Sequence, residues 1–186
     1  MNLEDLYVDR CQRRSDINEH IPTLKKYAEK CDHITEMGVR SIVSTYGFLA
    51  GKPKQMVCID INHPSRSGGN FPELVQVTEQ ENIFFEFRCA DTLKIEIEET
   101  DLLFIDTKHT YGHLKKELEL HGNMARKYII LHDTVTYGHV DMGCSRGLGL
   151  MPAINEFLEN NPHWKIIEHF DNNNGLTVVG RDEQKV

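Results

Sequence analysis

Five short apolar runs in this chain carry an acidic side chain at or within four residues of their ends, and helix-like stretches separate them. The runs are His33–Met37, Gln55–Asp60, Ile83–Phe87, Leu102–Ile105 and Tyr128–Leu131. Glu36, Asp60, Asp91, Asp106 and the pair His132-Asp133 stand at or just past their ends. Between the runs the hydrophobic period changes to that of a helix. Ile17, Ile21, Leu24, Ala28 and Cys31 share one face behind Ser15-Asp16, which predicts a capped helix. Ser41–Ala50 predicts a second, stopped at Gly51 and Pro53, and Pro72 opens a third leading into Glu73–Gln80. Tyr111, Leu114, Leu118, His121 and Ala125 mark a fourth, and Pro152–Glu159 a fifth. Strands alternating with helices require right-handed crossovers and give a mainly parallel sheet. Trp164–Phe170 and Leu176–Val179, joined by a turn whose Asn-Gly supplies positive φ, add an antiparallel hairpin. The expected fold is α/β, a doubly wound three-layer sandwich on a seven-stranded sheet, with ligands outside the carboxyl ends of the strands.

The length, 186 residues, suits one domain over 1–186, with residues 1–14 as an N-terminal extension. Twenty-nine Asp and Glu against 21 Lys and Arg give a net charge of −8, which argues against a nucleic-acid partner. No apolar run approaches the roughly 20 residues that span a bilayer, and MNLEDLYVDRCQRRS has no apolar signal region. The five cysteines are odd in number and form no C-x-x-C pair, as expected of free thiols in a reducing cytoplasm.

A row of carboxylates around one crevice suits hydroxyls, an amine or a cation rather than a phosphate. The first turn, Glu36 to Ser44 (EMGVRSIVS), has a single glycine and lacks the G-x-G-x-x-G that admits a pyrophosphate. E-x-G-x-x-x-S, then an acid closing the second strand, then Asp91, resembles the cofactor site of class I S-adenosylmethionine-dependent methyltransferases. Residues 104–134, with I-D-x-x-H-x-Y and a later HD, resemble the small-molecule O-methyltransferase branch that includes cephalosporin-hydroxylase-like proteins and, more distantly, catechol O-methyltransferase. The resemblance spans residues 16–181 and implies a Rossmann-like fold with S-adenosyl-L-methionine as cofactor.

It also implies roles. Gly38 would let the backbone approach the methionine part of the cofactor, and Glu36 would lie beneath its ammonium or a helix terminus. Ser44 and the helix start at Ser41 would bind the carboxylate, Asp60 the ribose hydroxyls, and Asp91 the adenine. Asp106, which borders both sites, would join His132 and Asp133 in holding Mg²⁺ or Mn²⁺. His132 replaces a carboxylate there and shifts metal preference toward softer ions. His109 stands where the catechol-type enzymes carry a lysine and would act as general base, its ordinary pKa of roughly 6.5 suiting proton removal near neutrality. His109 and His113, four apart, could alternatively share a metal.

Residues 134–150 form a long loop, expected to act as a substrate lid, with Arg146 and Arg66 as candidate anchors for an acidic substrate. The expected reaction is O-methylation of a small hydroxylated molecule, a sugar among the candidates, with the lid or a homodimer partner completing the pocket. The alternatives are a methyltransferase acting on a macromolecule, disfavoured by the absence of N-P-P-Y/F, and a non-catalytic S-adenosylmethionine-binding protein. A nucleotide-sugar or NAD enzyme is a further rival.

Overall fold

The computed structural model describes residues 1–144 and 146–182. Strands β1 (His33–Met37), β2 (Gln55–Asp60), β3 (Phe84–Cys89), β4 (Thr100–Ile105), β5 (Ala125–His132), β6 (Trp164–Phe170) and β7 (Leu176–Arg181) form one sheet in the order β3-β2-β1-β4-β5-β7-β6. The first five run parallel, and β7 inserts antiparallel between β5 and β6. The helices are α1 (Leu3–Gln12), α2 (Ile21–Ala28), α3 (Ser44–Ala50), α4 (Phe71–Gln80), α5 (Tyr111–His121) and α6 (Leu150–Asn160). The topology is the expected three-layer, Rossmann-like sandwich, with the strand order reversing at β1. No helix among the described residues is long and apolar enough to cross a membrane.

Period-two alternation sends each central strand into two cores. Ile34, Met56, Cys58, Leu102, Phe104 and Ile130 face α1–α4, while Met37, Val57, Ile59, Leu103, Ile105 and Ile129 face α5 and α6. On the first side Phe48 of α3 meets Phe104 edge-on at 5.1 Å. Each such buried side chain contributes roughly 1.5–3 kcal/mol, and together they fix the heights at which the strands end.

Three local expectations change. Residues 1–14 are not a bare extension: α1 is capped by Asn2, whose Oδ1 accepts from the Asp5 amide, and it buries Leu3 and Leu6. Only those two residues of the helix are buried, so its sequence carried little periodic signal. The helix expected at Ser15 begins as α2 at Ile21, after a single 3₁₀ turn at Asn18–His20. The helix expected from Ser41 begins at Ser44, because Arg40 (φ 47°) and Ile42 (φ 63°) sit in the left-handed region, which a helix cannot include.

Candidate functional site

At the end of β1 the carboxylate of Glu36 is fully buried, because the alternation points it into the α3 layer. It accepts hydrogen bonds from Ser44 Oγ at 2.5 Å, Thr45 Oγ1 at 2.8 Å and Cys58 Sγ at 3.1 Å. Burial pushes its carboxyl up to about 7, against the pull of those three donors. Glu36 thus caps the start of α3, one of the two placements expected. Ser44 departs from its expected role, since its hydroxyl is committed to Glu36. Ser41, half-buried, lies in the turn ahead of α3 and so is not at a helix start.

The protein's own packing requires a glycine at Gly38. At φ +88° its Cβ would lie 2.0 Å from the carbonyl oxygen of Asp106. The Asp106 amide donates to the Met37 carbonyl at 2.8 Å, so β1 and β4 remain paired into their loops. Asp60 differs from the free carboxylate that a two-hydroxyl clamp needs. Its Oδ2 accepts from the amides of Val39 (2.8 Å) and Arg40 (2.9 Å), and its Oδ1 from Asn62 (2.8 Å). Asp60 therefore staples the left-handed turn after β1, and one lone pair on Oδ1 is left for a ribose hydroxyl. Asp91 closes its own 3₁₀ turn by accepting from the Leu93 amide at 3.0 Å and pairs with Lys94 at 3.0 Å. Its expected contact with adenine has no counterpart in that geometry.

The ends of β4 and β5 bring four side chains together. His109 Nε2 lies 3.1 Å from Asp106 Oδ1 and 2.9 Å from Asp133 Oδ2. His132 Nδ1 lies 3.5 Å from Asp106 Oδ2 and 3.4 Å from Asp133 Oδ2. Asp133 holds its place at φ 60°, a left-handed conformation that Asp tolerates better than most residues. Burial works against charge on both rings, but the attraction of the two carboxylates, with the close contacts of His109, overcomes it. The carboxylates raise His109 to about 9 and His132 to about 10. Burial likewise opposes ionisation of Asp106 and Asp133, and the two imidazoles reverse it, holding both carboxyls below the usual range. The expectation of an ordinary histidine pKa for a base at position 109 is thereby corrected: His109 is charged near neutrality.

The donor set fits a divalent cation. One ligand atom each from Asp106, His109 and Asp133 lies within 4.8 Å of the others. His132 donates from Nε2 toward the Asn173 carbonyl at 3.2 Å, so Nδ1 is the nitrogen turned to the carboxylates and the one that would bind an ion once its proton leaves. That buried Nδ1 and the buried Oδ1 of Asp133 have no hydrogen-bond partner, the condition of groups that await a ligand. Two carboxylates balanced by two imidazolium protons keep the same net charge when one divalent ion replaces both protons. Of the set expected from the sequence, Asp106 and Asp133 belong to that group together with His109, and His132 stands beside it, with Nδ1 3.4–3.5 Å from the two carboxylates.

His113 turns away from His109. Its Nε2 lies 3.2 Å from Glu117 Oε1, and among the described residues the group that could hold a metal contains His109 and not His113. The loop after β5 is fastened over the cluster. Tyr137 stacks on His109, with ring centroids 4.9 Å apart and planes 2° apart, and the Met142 amide donates to the His109 carbonyl at 2.7 Å. Asp141 Oδ1 accepts from the amides of Tyr111 (2.7 Å) and Gly149 (2.9 Å), which ties the loop to the first turn of α5. Of the lid expected over 134–150, Ser145 lies outside the described residues. Arg66 and Arg146 are exposed, and Val135, Val140, Met142 and Leu148 present apolar surface. The parts played by Tyr137, Asp141 and Glu117 had no sequence signal beyond their residue types.

The strand order, the antiparallel β7 and the polar cluster at the carboxyl ends of β4 and β5 define a class I methyltransferase fold. Solved structures agree: an O-methyltransferase from Bacillus cereus in complex with SAH is 16% identical over 96% of this chain and 90% of that one, with a TM-score of 0.64. A methyltransferase from Geobacter sulfurreducens is 13% identical over 96% and 85%, at 0.61. An SAH-bound methyltransferase from Podospora anserina is 15% identical over 97% and 88%, at 0.56. No curated protein sequence matches. Residues 30–182 match the model of the Rhamnosyl O-methyltransferase/CmcI family, and the chain belongs to that family. It is a methyltransferase that uses S-adenosylmethionine, and the transfer is to oxygen.

Proposed function

We propose that the methyl acceptor is a hydroxyl of a small molecule bearing two neighbouring oxygens, a sugar diol among the candidates, and that the four-residue cluster assists the transfer by holding a divalent cation. The observation that supports this reading is the convergence of Asp106, Asp133, His109 and His132 around buried atoms that lack partners. A bound Mg²⁺ or Mn²⁺ would fix the acceptor oxygens and favour the alkoxide over the alcohol.

The protein's own groups carry the rest. Methyl transfer from a sulfonium is an in-line displacement, so alignment and exclusion of water supply most of the rate. The mouth between β1, β2 and β4 would take the cofactor, with Asp60 Oδ1 as a single acceptor for ribose. Tyr137 and the loop over His109 close the side opposite. His109 would receive the hydroxyl proton only in its neutral form and only where Asp106, His132 and Asp133 hold the cation without it, since an imidazole bound to the ion through Nε2 has no lone pair left.

The enzyme is further read as an EC 2.1.1 transferase of the cytoplasm, with no nucleic-acid or membrane partner. The exposed apolar residues of the lid would meet substrate or a second copy. Calorimetric titration with S-adenosylhomocysteine and MnCl₂, followed by incubation with S-adenosylmethionine and a panel of diols, catechols and monohydroxy compounds, tests the proposal. Turnover confined to vicinal diols or catechols and dependent on Mn²⁺ or Mg²⁺ is expected. Equal turnover in excess EDTA would remove the cation from the reaction.

A further inference from the structure

Glu117 is buried completely in the middle of α5, although a carboxylate in that position costs several kcal/mol unless it is well bonded. It is well bonded. Thr92 Oγ1 donates to Oε1 at 2.6 Å, Thr107 Oγ1 lies 2.9 and 2.8 Å from the two oxygens, and His113 Nε2 is 3.2 Å from Oε1. One helical turn on, His121 Nε2 lies 2.7 Å from the Thr92 carbonyl. Leu114 and Leu118 on the same helix show that the environment is otherwise apolar, so packing alone would favour a leucine or methionine at this position. What the carboxylate adds is direction. Thr107 is the residue between Asp106 and the His109 turn, and its hydroxyl is anchored from below by a group that cannot move. Glu117 also borders a 10 Å³ cavity that touches Thr107, His109 and His132.

We propose that Glu117 is a positioning residue: by fixing Thr107 it sets where Asp106 and His109 stand at the reacting centre. The inference deepens the cation reading and in part rests on it. Ligand placement of this kind is a known lever, since loss of a hydrogen bond behind a metal ligand typically weakens metal binding about 10–100-fold.

The test uses Glu117→Gln, which keeps the volume, and Thr107→Val, which removes only the hydroxyl and leaves the carboxylate in place. Two quantities are read on the folded, full-length chain: affinity for MnCl₂, and hydrogen exchange of the amides of Asp106 and Thr110, which donate to the carbonyls of Met37 and Lys108 at 2.8 Å each. Both variants are expected to bind Mn²⁺ about 10–100-fold more weakly and to exchange those two amides at least about 10-fold faster. Amides of α6, such as Ile154, should keep their wild-type rates. A general loss of stability would instead raise exchange everywhere. Wild-type exchange and wild-type Mn²⁺ affinity in Thr107→Val would overturn the inference. Should the wild-type chain take up no Mn²⁺, the cation reading falls and the exchange of Asp106 and Thr110 decides the role of Glu117 alone.

Discussion

The phenol ring of Tyr137 lies flat on the imidazole of His109, 4.9 Å away and within 2° of parallel, so the loop after β5 covers a ring that lies within 3.1 Å of both carboxylates of the cluster. The face of an electron-rich ring against a charged imidazole contributes roughly 1–2 kcal/mol. Tyr137→Ala should lower the melting temperature by about 4 °C, whereas Tyr137→Phe should stay within about 1 °C of wild type, because the stack survives without the hydroxyl. Calorimetric melts of the three proteins settle it, and an alanine variant as stable as wild type would show that the stack contributes nothing.

Proton and cation compete for the same cluster. With the folded values of His109 and His132 raised to about 9 and 10, the stability these histidines contribute is complete below about pH 6.5 and is lost as pH rises through 9 to 10. Because ligating imidazoles must be neutral, Mn²⁺ binding should tighten from pH 6 to 9 and release one to two protons, roughly, per ion. Titrations in buffers of different ionisation enthalpy measure that release directly. Saturating Mn²⁺ should also abolish the alkaline loss of stability, and an affinity flat with pH would remove the histidines from the ligand set.

Glu36 acts in the same direction over a lower pH window. Its folded value, about 7, lies above the unfolded 4.5. Its contribution is therefore present below pH 4.5 and disappears as pH rises through 7, a change of about 3 kcal/mol. Glu36→Gln, which can still accept from Ser44 or Thr45, should flatten the stability profile between pH 4.5 and 8 by about that amount. Urea unfolding at four pH values gives the slopes, and parallel profiles for the two proteins would mean that Glu36 does not titrate in this range.

Asp60→Ala should act twice. Without cofactor it strands the amides of Val39, Arg40 and Asn62, a loss of about 1–3 kcal/mol. It should also raise the dissociation constant for S-adenosylhomocysteine at least about 10-fold, because the turn that lines the mouth loses its staple. A variant that melts early yet binds S-adenosylhomocysteine like wild type would confine Asp60 to the turn.

The sheet was legible because buried parallel strands write themselves as continuous apolar runs, and the acids at their ends marked the crevice. His33–Met37, Gln55–Asp60 and Trp164–Phe170 stand where they were read. What could not be read was the partner of each polar group. Spacing places Ser44 eight residues after Glu36, but only the fold shows that the two bond to each other. The acid at Asp60 announced a ligand, and two backbone amides from the left-handed turn and that of Asn62 claimed most of it. His109 was visible as a candidate base, and its charged state was not, since that depends on how closely β4 and β5 bring Asp106 and Asp133 together. Helix α1 escaped notice because two buried leucines among polar neighbours give no stripe.

Asp141 gives the loop over the cluster a latch. The same oxygen receives the Gly149 amide and the first amide of α5, a helix whose own leading residue, Thr110, contributes no side-chain cap. Lifting the loop would therefore unseat the start of the helix that carries Glu117. Any displacement of Asp141 would thus reach the foot of α5.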